Sequence, residues 1–327
     1  MILAGDIGGT NTRLAFFEGT ADRLKPLAIE VFPSGAHKGP EEIARKFLAK
    51  HKHTVDAACF GIAGAVVDGR VETPNLPWQV NERDLAAELH LDHVELINDL
   101  LANAHGIALL DASDFVVLNP GQPGLGGNRA LISAGTGLGE AGLLAESSGY
   151  RPFPSEGGHV DFAPRNELEL DMLRFLMDRF DHVSYERVLS GPGLFNIYRF
   201  LRDTRRGDEP AWLAEQIAQG DPSAVIANSA LEETSAICVQ ALDIFVSIYG
   251  AEAGNLALKF VATGGTFVGG GIAPKILPRL HNPAFMHAFH DKGRIGSLLK
   301  DIPVSVITND KTALFGAGRA AALARKR

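Results

Sequence analysis

Three short stretches concentrate side chains that can grip a polyhydroxyl ligand and move a proton. Asn98-Asp99 follows the apolar run His93 to Ile97 and opens a helical pattern. A carboxylate there lies at the carboxyl end of a sheet strand, the edge at which α/β proteins hold ligands. Asn or Asp at such a point also serves as an ordinary helix N-cap. The second stretch is Glu156-Gly157-Gly158-His159-Val160-Asp161, whose glycines interrupt regular structure and expose Glu156 and His159. The third places Glu186 within Ser184 to Gly193. Each alone is compatible with an exposed polar side chain that binds nothing. Together they supply carboxylates, an amide and an imidazole, which suits a ligand with many hydroxyls.

Two glycine turns offer a complementary chemistry. The chain opens on MILAGDIGGTNTRLAFF, a hairpin pattern in which Gly8, Gly9, Thr10 and Asn11 join two apolar runs. Glycine lets backbone N–H groups surround an anion, and Thr10 and Asn11 add side-chain donors. Asp6 beside such a turn can hold a magnesium ion through water. The plain alternative is a tight hairpin with no ligand. The pattern recurs: strand Ala130 to Ala134, the turn Gly135-Thr136-Gly137-Leu138-Gly139, then strand Ala141 to Ala145. A duplicated unit with an anion-gripping turn in each copy would leave this trace.

The elements that must position these residues follow from periodicity. Leu27 to Phe32, Ala57 to Ile62 and His93 to Ile97 read as strands, Glu41 to Lys50 as a helix, and Asn81 as the cap of a helix that runs to about Leu89. Asp68-Gly69 centres a second hairpin, and a helix follows from Leu100 to Leu110. Beyond the strand Phe115 to Leu118 and the second hairpin, the chain turns helical: Leu168 to Phe180, Gly193 to Arg202, Trp212 to Ala218, and one long helix from Pro222 to about Gly250. The last is apolar almost all round, which implies burial between layers or in a dimer interface. Leu256 to Ala262 reads as an apolar strand ahead of Gly264-Gly265-Thr266 and Gly269-Gly270-Gly271. Val304 to Ile307 and a helix Thr312 to Ala324, with an Ala-rich face suited to the first sheet, close the chain. The expected domains are 1–110 plus about 300–327, and 111–299.

Composition narrows the function. At 327 residues, 46 % hydrophobic, the chain suits two domains or one large one. A formal charge of −8 without a basic stripe argues against nucleic acid and membrane surfaces. Cys59 and Cys238, far apart in apolar surroundings, read as buried thiols in a reducing compartment. The start lacks the pattern of a secretory signal, and a cytoplasmic protein is expected. No GxxxxGK[ST] motif occurs. Gly137 to Gly142 matches GxGxxG, but strand-like Leu143-Leu144-Ala145 follows where a dinucleotide site needs a helix.

At this point the sequence resembles the bacterial ATP-dependent glucokinases of the actin, sugar-kinase and Hsp70 superfamily, in the group without a zinc-binding cysteine cluster. GDIGGTNTR, the IND strand end, SAGTGLG, PSEGGHVDF, YERVLSGPGL and GGTFVGGGIAPK occur in the family's order over essentially the whole chain. The resemblance implies an α/β, two-domain actin-like (ribonuclease H-like) ATPase fold, with duplicated mixed sheets flanked by helices and a cleft between domains. It implies Gly8, Thr10 and Asn11 as one phosphate loop with Asp6 on the magnesium side, and Gly135 and Thr136 as the other. Gly264, Gly265 and Thr266 correspond to the adenosine-side turn. Asn98, Asp99, Glu156, His159 and Glu186 match the sugar-binding set, Asp99 as general base, with Asn75 near the sugar. The implied substrates are ATP and glucose, with Mg²⁺, no structural zinc, and a homodimer. Competing readings are a kinase of fructose, mannose or an N-acetylhexosamine, a sugar-responsive regulator, and a chaperone-type ATPase. The regulator would need a DNA-binding helix pair ahead of Gly5, and the acidic charge argues against it.

Overall fold

The opening residues alternate toward two faces, and that alternation builds the first sheet. In a computed structural model describing residues 1–73, 76–122 and 124–325, β1 (Ile2–Ile7) turns back into β2 (Asn11–Thr20), which pairs with β3 (Arg23–Pro33). After α1 (Pro40–His51), β4 (Ala57–Ile62) enters parallel to β1. A small hairpin follows, β5 (Arg70–Glu72) with β6 (Gln79–Asn81), then α2 (Glu82–Leu89), β7 (Glu95–Asn98) and α3 (Asp99–Gly106). The sheet order is β3-β2-β1-β4-β7. Leu3, Ile7 and Phe16 face a core shared with Phe47 of α1 and Leu85 of α2. Ile2, Ala4 and Phe17 face the opposite side, as a period of two requires.

The second half repeats that plan. Its strands are β8 (Phe115–Asn119), β9 (Arg129–Ala134), β10 (Leu138–Glu146) and β11 (Gly149–Ser155). Helices α4 (Glu167–Met177), α5 (Gly191–Asp203), α6 (Ala211–Gln219), α7 (Pro222–Leu231) and α8 (Ala236–Phe260) follow. Then come β12 (Gly265–Gly269), α9 (Leu277–Leu280), α10 (Pro283–His290), α11 (Gly296–Lys300) and β13 (Val304–Ile307). The order β11-β10-β9-β12-β13 matches that of the first sheet, with β8 added beyond β13. In both sheets the first strand of the set pairs antiparallel with the next and parallel with the later one. The closing helix α12 (Thr312–Ala324) packs Ala313, Leu314 and Ala317 against Ile2 and Phe17 of the first sheet. Contacts divide the chain into Met1–Asp114 with Ser148–Pro154 and Asn309–Arg327, and Phe115–Ser147 with Ser155–Thr308.

Two sequence expectations need correction. The long helix expected from Pro222 to Gly250 is two, α7 and α8, separated where Glu233 takes a left-handed conformation (φ 56°). The run Leu256 to Ala262 is not a strand. It is the last turn of α8, which ends on left-handed Val261 (φ 49°). An apolar run buried on all sides carries no period to separate strand from helix. By length and hydropathy α8 is also the one described helix apolar enough to cross a membrane, but most of that stretch is buried in the core of its own unit. Strand β13 lies in the second unit.

Candidate active site

In the first unit, parallel pairing brings the carboxyl ends of β1, β4 and β7 to one edge: Ile7 is opposite Ile62, and Ile62 opposite Asn98. The turn at Gly8–Asn11 leaves that edge. It closes through Gly8 N–H to Asn11 C=O (3.0 Å) and is braced from β3's end, where Ser34 Oγ donates to Gly8 C=O (2.7 Å). Thr10 and Asn11 are exposed. Asp6 stands just before the turn with Arg13 Nη1 3.5 Å from its carboxylate, and Arg13 also donates to Asp310 (3.1 Å). Burial pushes the Asp6 carboxyl above its ordinary range, and Arg13 opposes that shift. Among the described residues no three His, Cys, Asp or Glu side chains cluster as a metal cage. The donors at this edge, one carboxylate and a glycine turn, fit an ion held chiefly by phosphate and water, as magnesium is.

Asn98 caps α3: its Oδ1 accepts from Leu100 N–H (2.8 Å), while its Nδ2 donates to Gly64 C=O (3.0 Å). The cap fixes the Asn98 amide at the sheet edge. Asp99 is the first residue of α3, where the positive end of the helix suits a carboxylate. Gly61 on β4 lets α3 lie close, because a Cβ there would stand 2.7 Å from Ala102 Cβ. Asn75 lies outside the described residues.

In the second unit, the turn after β9 closes through Gly135 N–H to Gly137 C=O (2.8 Å) and leaves Thr136 exposed. Leu138, which begins β10, joins three expected groups. Its N–H donates to Glu186 Oε2 (2.9 Å). Its C=O lies where a Cβ on Gly158 would stand only 2.0 Å away, so the turn Gly157–His159 seats on it through bare glycine backbone. Glu156 and His159 project outward, both side chains well exposed, with Oε2 4.0 Å from Nε2. Gly135–Thr136, Glu156, His159 and Glu186 are thus gathered at one strand start.

Gly264, Gly265 and Thr266 are not gathered there. Gly265 pairs with Arg129 at the amino end of β9, and Gly269 with Ser133 near its carboxyl end. The expected adenosine-side turn therefore sits at the opposite edge of the sheet, roughly 13 Å along the strand, with Thr266 buried. What reaches the edge beside Gly135 is Gly269-Gly270-Gly271, where Ile272 N–H donates to Ala134 C=O (3.2 Å). The strand itself begins at Gly265.

Sequence reasoning also missed Glu140. It is buried, neither oxygen finds a donor among the described residues, and Oε2 occupies the space a Cβ on Gly157 would need. Burial first, and the neighbouring Glu252 carboxyl second, push Glu140 up to about 8, with Lys259 opposing. Glu252 is itself held by Asn255 (2.8 Å) and Lys259 (3.2 Å). A carboxyl raised above its unfolded value favours folding fully below that value, and the benefit is lost as pH rises toward the folded one. Stability is therefore expected to fall between about pH 5 and 8, and Glu140→Gln to flatten that slope. Melting temperatures at pH 5, 6.5 and 8 read it, and parallel curves for the two proteins would remove Glu140 as the source.

Two sheets of one plan, each with a glycine turn at its carboxyl edge, define the actin-like ATPase fold in its sugar-kinase form. The chain belongs to the glucokinase family, whose model, described as Glucokinase, matches residues 3–324. A glucokinase of Nostoc sp. is 42 % identical over 98 % of this chain and 99 % of its own length. A crystal structure of glucokinase from an Antarctic psychrotroph superposes with a TM-score of 0.84 at 30 % identity, covering 98 % of each chain. A ROK family glucokinase from Streptomyces griseus, solved with glucose and AMPPNP, shares the fold at a TM-score of 0.67 and 20 % identity, over 98 % of each chain.

Proposed function

We propose that this protein transfers the γ-phosphoryl group of ATP to the 6-hydroxyl of glucose, with Asp99 as general base. The observation that carries the reading is the junction at Leu138, where one backbone unit ties Glu186 and the Glu156–His159 turn to the glycine turn at Gly135. Such a junction couples polyol recognition to anion recognition. In this reading Asn98, Glu156, His159 and Glu186 hold sugar hydroxyls. Asp99 accepts the proton of the attacking hydroxyl, and the donors at Gly8–Asn11 and Gly135–Thr136 spread the phosphate charge. Magnesium, which Asp6 would hold through water, supplies charge neutralisation on the phosphates when bound. Gly269–Gly271 takes the nucleotide-side role in place of Gly264–Thr266. The buried thiols of Cys59 and Cys238 support a cytoplasmic setting. On the family resemblance the assembly is a homodimer, which light scattering reads directly.

The test is sugar-dependent ADP release with ATP and magnesium. Glucose is expected to support turnover with a kcat/KM at least about 100-fold above fructose, mannose and N-acetylglucosamine. Higher kcat/KM with another hexose would keep the kinase and replace its substrate. ADP release that no sugar stimulates would sink the kinase reading.

A further inference from the structure

We propose that Tyr249 is a positioning residue for nucleotide binding, its hydroxyl tying together the two loops that leave β9 and β12. This rests on the kinase reading above. The ladder between these parallel strands ends at the pair Ser133 and Gly269. One residue further the strands part, and the tyrosine hydroxyl enters the gap from α8. It accepts from Ala134 N–H (3.1 Å) and faces two carbonyls, Gly269 C=O at 3.3 Å and Ile132 C=O at 3.5 Å, donating to the nearer. The loop then folds back: Ile272 N–H donates to Ala134 C=O, closing a ring through Ala134, Tyr249, Gly269 and Ile272. Gly270, at φ +82°, could carry no side chain there, since a Cβ would stand 2.4 Å from Ala134 C=O. One hydroxyl thus sets where Gly135–Thr136 and Gly270–Gly271 begin.

The hydroxyl is held rigidly. Tyr249 is fully buried, its ring edge-on to Phe245 and Phe285, with centroids 5.9 Å away in each case. At the next residue α8 meets α10 backbone to backbone, where a Cβ on Gly250 would stand 2.0 Å from Phe285 C=O. A helix held this closely to α10 cannot slide to relieve a lost hydrogen bond. Burial also keeps the phenol protonated, well above its ordinary range, so it remains a donor. Phenylalanine at this position would fill the ring slot and leave Ala134 N–H and Gly269 C=O without their bridge.

The experiment compares wild type, Tyr249→Phe and Phe245→Leu, the last loosening the same aromatic slot while keeping the hydroxyl. Steady-state kinetics give both KM values, and hydrogen exchange with mass spectrometry reads peptides spanning 134–137 and 269–272. Tyr249→Phe is expected to raise KM for ATP about tenfold, the ratio one hydrogen bond represents. KM for glucose should stay within about twofold, and exchange should quicken in both loops. Phe245→Leu is expected to lower the melting temperature without an ATP-selective change. Equal shifts in both KM values, the same pattern in both variants, or unchanged exchange and KM for ATP would overturn the proposal. Should wild type phosphorylate no sugar, the kinase reading fails separately. Calorimetric binding of AMPPNP to wild type and Tyr249→Phe then decides the tyrosine's role, a tenfold weaker Kd supporting it and equal Kd values overturning it.

Discussion

Asp99→Asn is expected to lower kcat about 1,000-fold, the range of a lost general base, while KM for glucose stays within a few-fold. Asparagine keeps the shape of the side chain and an oxygen facing Leu100 N–H, which now lies 3.0 Å from Asp99 Oδ1. The helix start at Asn98 is untouched, because that cap uses Asn98's own oxygen. On the proposed role, what the amide loses is the basicity needed as the sugar hydroxyl attacks. Steady-state turnover with glucose, alongside calorimetric glucose binding, separates the two effects. Turnover near that of wild type would remove Asp99 from the base role. Binding lost together with turnover would make it a ligand first.

Gly316→Ala is expected to destabilise the first unit by about 3 kcal/mol, the upper part of the range for overpacking, and to lower its melting temperature by about 10 °C. The clash is with backbone: a Cβ at Gly316 would stand 1.7 Å from Ala102 C=O, so α12 and α3 must separate. A second close approach, Gly106 against Thr312 C=O at 2.0 Å, shows that the crossing is tight along its length. Because Asp99 begins α3, this separation shifts the site as well as the stability. Gly318→Ala is the contrast on the same helix. Its Cβ would meet only the side chains of Phe17 and Leu24 at 3.0 Å, and alanine improves helix propensity by about 1 kcal/mol. Calorimetry of both variants checks the difference, and equal melting points would show that the crossing can relax.

Much of the fold was legible in residue order because it is set locally. Gly8–Asn11 does turn, and the two runs it joins, Ile2–Ile7 and Asn11–Thr20, pair antiparallel. Asp68-Gly69 does turn the chain, at φ 51° and 67°. The final helix covers the first sheet with the Ala-rich face its sequence offered. Gly137 to Gly142 matches GxGxxG, but strand residues follow it, and β10 runs through it. In each case neighbours along the chain carry the information.

The site was legible as a set of residue types and illegible as an arrangement. Glu186 is far from Gly135 in the chain, and nothing local says that its carboxylate takes the Leu138 N–H. Glu140 carries a charge symbol on an apolar strand, and only burial beside Glu252 explains it. The sequence by itself determined the turns, the caps, the duplicated strand pattern and the candidate polar groups, because backbone sterics and hydrophobic period act over a few residues. Tertiary structure alone decided which edge of the second sheet each glycine run occupies. That depends on α8 continuing to Phe260, so that Gly269–Gly271, and not Gly264–Thr266, ends the strand beside Gly135. A helix buried on every side keeps its length through contacts from other layers, and those contacts are written nowhere in its own spacing.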